Sequence, residues 1–168
     1  MKTRVPVLLC IVLAMLPAIG ELFLRQVEIA GATVVYFSID GHNESEWRMS
    51  SVEKVVLAGG PENALAWTTW GATAGWECTD GKISFISVDV PIAVYLPVPE
   101  EITLFEISAW NSYFSRLVEH ETHHVEIVRA HLEDFQGIKG TACEQAPAKV
   151  DKIYSFIGLL NRQFDGLM

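Results

Sequence analysis

Residues 100–136, "EEITLFEISAWNSYFSRLVEHETHHVEIVRAHLEDFQ", contain neither proline nor glycine. Apolar or imidazole side chains recur at Ile107, Trp110, Phe114, Leu117, His124, Val128, His131 and Phe135, and Glu121 falls on the same stripe. Steps of three and four are the period of a helix that buries one face. The spacing predicts one long helix that stops at Gly137 and Gly140, then a second from about Ala146 to Phe164. Two helices joined by so short a connection lie antiparallel, as a helical hairpin.

Upstream the pattern is that of strands. "ATVVYFSIDG" (32–41) is β-branched and aromatic and ends in a turn signal at Asp40 and Gly41. "NESEWRMSSVEKVVLAGGPEN" (43–63) predicts a short helix with Ser45 as its N-cap and a stop at Gly59, Gly60 and Pro61. Residues 64–97 predict two or three strands, with Asp80-Gly81 as a tight hairpin turn. Pro91 marks an edge or an interruption. The fold class that follows is α+β: a small antiparallel β-sheet packed on a long C-terminal antiparallel helical hairpin.

Four of the five histidines lie between His120 and His131. His120, Glu121 and His124 form H-E-x-x-H. Residues four apart sit one above the other on a helix, the spacing at which two imidazoles reach one zinc ion about 2.1 Å from each. Zinc lowers the pKa of a water it holds, and a carboxylate beside it can take the proton and direct the resulting nucleophile to a carbonyl carbon. On an exposed helix the same letters can be solvated side chains. Glu121 and His124 fall on the buried stripe, where a charged group needs a partner, and this favours a metal site.

A catalytic zinc needs a third protein ligand. His131 projects in nearly the direction of His120, but it lies seven residues beyond His124, about 10 Å along the axis. It reads as a core or supporting residue, and His123 as a solvent-facing neighbour. Counting back through the turn at Gly137 sets the His120–His124 layer against residues 158–165 of the second helix. Asn161 and Asp165 are the polar candidates there, and Asp165 offers the better zinc ligand.

The 168 residues suit one domain with a real core. "MKTRVPVLLCIVLAMLPAIG" (1–20) has a basic start, an apolar run and small residues at its end, the layout of a signal peptide, with a retained anchor as the alternative. Residues 21–168 then form the single domain, with no stretch apolar enough for a stable membrane span. The whole chain carries a net charge of −9; without Lys2 and Arg4 the 12 basic residues become 10 against 21 acidic ones, or −11. Such a charge argues against nucleic acid and anionic membrane surfaces as partners. Cys78 and Cys143 remain as a pair, which in an exported protein reads as a disulfide ahead of free or metal-bound thiols.

"VVYFSIDG", "GGPEN", Cys78 followed by "VYLP", "WNSYFSRLVEHETHH", Cys143 and "NRQFD", in this order and spacing, resemble the bacterial family described as predicted secreted zinc-dependent proteases, domain of unknown function 922. The resemblance spans most of residues 21–168. It implies a closing histidine as third ligand, where this sequence has Phe164, Asp165 and then "GLM". Asp165 in its place, a weak site with two ligands, and a fold retained without catalysis are the alternatives. The first expectation is thus an exported zinc metallopeptidase, in the periplasm or outside a bacterial cell, acting on a peptide or cell-envelope substrate. The second is a non-catalytic periplasmic binding or interaction module on a peptidase-derived fold.

Overall fold

The computed structural model describes residues 27–166, so the signal segment read at 1–20 lies outside the described residues. Five strands and four α-helices follow in the order β1 (Thr33–Ile39), α1 (Glu44–Leu57), β2 (Trp67–Trp70), β3 (Thr73–Thr79), β4 (Lys82–Asp89), β5 (Ile92–Pro99), α2 (Ile107–Ala130), α3 (Leu132–Gln136) and α4 (Ala146–Asp165). The α+β class and the helical hairpin are as the sequence predicts.

The strands divide into two sheets, ordered β1-β5-β2 and β3-β4. Both β2–β5 and β3–β4 are antiparallel, whereas β1 runs parallel to β5. A parallel pair needs a long crossover, supplied here by α1 and the three intervening strands. The two-residue turn at Asp80 and Gly81 has φ of 53° and 72°, the left-handed pair of a type I′ hairpin. Pro91 falls in the break between β4 and β5. Pro97 and Pro99 sit within central β5 at little cost. The Glu100 amide donates to the Ile39 carbonyl, so the odd positions face the other side, where β2 has already ended opposite Tyr95.

Asn43, not Ser45, caps α1: its Oδ1 accepts from the Glu46 amide at 3.1 Å. The Glu46 carboxylate in turn accepts from the His42 amide at 2.8 Å and from Asn43 Nδ2 at 2.6 Å, a variant of the capping box that reaches the amide before the cap. Those bonds hold the Glu46 carboxyl below its ordinary pKa, the His42 amide foremost.

Trp47, Ser51 and Val55 form the buried face of α1. Trp47 meets Trp110 edge-on at 5.1 Å and Tyr113 at 5.8 Å, an aromatic cluster joining α1 to α2. The larger core gathers Val94 and Leu96 of β5, Ile83 and Ile86 of β4, Val125 and Val128 of α2, Phe135 and Ile157. A disulfide joins Cys78 at the end of β3 to Cys143 before α4. The Ile83 amide donates to the Thr141 carbonyl and Gly140 to Ile83, so the β3–β4 hairpin is stitched to the α3–α4 connection.

The helix read over 100–136 is shorter and broken. It begins at Ile107, because residues 103–106 close a turn in which the Glu106 carboxylate takes the Thr103 amide at 2.6 Å. It breaks at His131, whose φ of −106° and ψ of 7° leave the helical region. His131 Nδ1 lies 2.8 Å from Asp134 Oδ2, and the chain restarts as α3 with Phe135 still buried.

Candidate metal centre

The buried face of α2 places Glu121 and His124 inside the protein, 2% and 7% exposed, with His120 at its rim. The last turns of α4 run antiparallel across them and deliver Asn161, Phe164 and Asp165. His124 Nε2 lies 3.2 Å from His120 Nε2 and 2.9 Å from Asp165 Oδ1, and His120 Nε2 is 3.5 Å from the same oxygen. Ligands about 2.1 Å from one tetrahedral centre lie about 3.4 Å apart. The three separations bracket that edge, so these atoms could hold one ion. His120, His124 and Asp165 are the only three-residue group of this kind among the described residues.

Asn161 is a partner of His124. Its Nδ2 donates to the Ile157 carbonyl at 2.9 Å, which turns Oδ1 towards His124 Nδ1 at 2.7 Å. An oxygen acceptor there favours a proton on Nδ1, so that Nε2 is the nitrogen available to an ion. That is the tautomer a metal ligand needs. Burial, followed by the neighbouring His124, holds His120 below the ordinary imidazole pKa, against the pull of Asp165. Phe164 packs on His120, His123 and His124, with centroids 4.9, 4.3 and 5.1 Å away.

Glu121 receives a hydrogen bond from the Thr68 hydroxyl of β2, 2.7 Å to Oε2. Burial pushes its carboxyl up to about 7, against the pull of that hydroxyl and of His124. A cation held by the histidines would act in the lowering direction as well. These groups open on a cleft of about 670 Å³ whose walls include Leu65, Trp67, Leu117, Arg48 and Arg116.

The residues read from the sequence as ligands thus converge, and Glu121 stands beside them. His123 is exposed, with Nδ1 3.5 Å from Glu126, and His131 pairs with Asp134 at the helix break; neither belongs to the group. Thr68 was not legible, since a threonine in "WTTW" signals a strand and nothing about its partner across 53 positions.

A family model described as "Bacterial protein of unknown function (DUF922)" matches residues 34–165. No curated protein and no solved structure matches the chain. The match covers well over half of the sequence, and the chain belongs to this family.

Proposed function

We propose that this DUF922 domain is a zinc-dependent hydrolase of peptide or amide bonds that works outside the cytoplasm, with His120, His124 and Asp165 as ligands and Glu121 as general base. One observation carries the reading: three ligand atoms stand 2.9 to 3.5 Å apart beside a buried, hydrogen-bonded carboxyl in an open cleft. Zinc would supply a Lewis acid there, lowering the pKa of water and polarising a carbonyl.

The chain's own residues do the rest. Asn161 fixes the His124 tautomer and ring. Thr68 ties Oε2 of Glu121, leaving the other oxygen to accept a proton within the cleft. Burial favours the protonated form of that carboxyl, so a proton taken from water can be held there, while a bound cation would act in the opposite direction. The disulfide and the layout of residues 1–20 support export, since disulfides persist in oxidising compartments. Among the described residues no helix is long and apolar enough to cross a membrane. A peptide or cell-envelope substrate suits that location.

A non-catalytic binding module is the second reading, and one feature favours it. His120 Nδ1 is buried without a hydrogen-bond partner, whereas histidine ligands ordinarily tie their second nitrogen to an acceptor. Glu121→Gln separates the two. In the hydrolase it lowers cleavage of an unstructured protein such as reduced casein by at least about a hundredfold while zinc content is unchanged. Absence of cleavage by the unaltered protein, with zinc bound, would favour the module.

A further inference from the structure

Arg48 of α1 and Arg116 of α2 line the same cleft as the metal group. Both guanidinium groups turn to one carboxylate: Arg116 Nη2 is 2.7 Å from Glu44 Oε1, and Arg48 Nη1 is 3.9 Å from that oxygen. Two guanidinium groups thus share a single carboxylate, with both arginine side chains 57% exposed. The other charged residues of the lining are Glu62, Glu121 and Asp165, and the whole chain carries −9. A basic spot in so acidic a molecule, opening on the cleft, marks where an anionic part of a ligand is favoured.

Pinning α1 to α2 is a weak alternative account, because exposed ion pairs contribute little to stability. A guanidinium offers five donors in a planar fork that fits a carboxylate two bonds at a time, and Glu44 uses only part of that capacity.

The register follows from the helix. Arg116 precedes His120 by one turn, about 6 Å, and its longer side chain carries the guanidinium beyond the lean that both share, adding up to a few more. Roughly 6 to 10 Å is two or three residues of an extended peptide. On the reading of this cleft as a peptide site, we infer that Arg48 and Arg116 select peptides carrying a carboxylate two or three residues from the segment that lies over His120 and His124. The carboxylate belongs either to an acidic side chain or to a free chain end.

Fluorescence anisotropy tests this with the full chain carrying Glu121→Gln, zinc-loaded and with its disulfide formed, so that probes are not cut. Three labelled peptides share one apolar background. One has a central Glu and blocked ends, one has Gln in its place, and one has that Gln with a free C-terminal carboxylate. The expected result is about fivefold tighter binding of one carboxylate probe than of the blocked Gln probe. Which of the two wins identifies the carboxylate's source. The ratio should fall to near one when Arg48→Met and Arg116→Met are combined. It should also fall in the Arg-containing protein as salt rises to about 0.5 M, a control that needs no arginine variant. Equal binding of all three probes, or a preference that survives in the double variant, would overturn the inference. Cleavage of the same peptides by the protein with Glu121 intact is read separately: a preference without cleavage keeps the arginine assignment and removes the hydrolase reading.

Discussion

At the scale of single residues, the centre depends on how its ligands are held. Asn161 fixes His124 by one hydrogen bond, so Asn161→Ala should weaken zinc binding by about 10- to 100-fold, measured by competition with a chelating dye. Glu121 makes a second prediction, for the metal-free protein. Its folded pKa is raised, from an ordinary 4.5 to about 7. The neutral carboxyl therefore favours the folded state: the contribution is full below about 4.5 and is lost as pH rises through about 7. Urea unfolding between those limits should show stability falling by about 3 kcal/mol more in the unaltered protein than in Glu121→Gln; parallel pH profiles would contradict it. Local spacing made His120, Glu121 and His124 legible, because one helical turn brings them together. Asp165 was reached by counting antiparallel turns. The pairing of Thr68 with Glu121 was not legible, since no local pattern reports a contact between a short strand and a helix 53 residues later.

At the scale of elements, apolar period read the helices well and their ends less well. The stripe from Trp110 to Phe135 faces the core, with Phe114, Leu117 and His131 half-buried, yet the helix breaks at His131, where periodicity continues through the break because Phe135 stays in the core. Ser45 has the right chemistry for a cap, but Asn43 begins the helix earlier, because Glu46 completes a reciprocal pair with it. Asn43→Ala should accordingly cost about 1 kcal/mol, read from the midpoint of thermal or urea unfolding, while Ser45→Ala should be nearly neutral. The hairpin turn was legible because Asp80-Gly81 is a local signal that needs both residues at positive φ.

At the scale of the molecule, alternation of side chains predicted strands but could not set their direction. The parallel pairing of β1 with β5 depends on a crossover through α1 and three strands, which is a property of the whole chain. That arrangement puts β2 at the edge of its sheet and beside α2, so Thr68 meets Glu121. The α2–α4 hairpin closes the site by laying Asn161, Phe164 and Asp165 across the histidines, and the Cys78–Cys143 disulfide ties the start of α4 to the β3–β4 hairpin. The centre is thus assembled from β2, α2 and α4, and the proposed function requires it to hold zinc. The most direct test is the zinc content of the oxidised protein after dialysis against micromolar metal, beside His124→Ala. The account predicts one equivalent in the unaltered protein and its loss in the variant; no bound zinc, or the same amount in both, would contradict it.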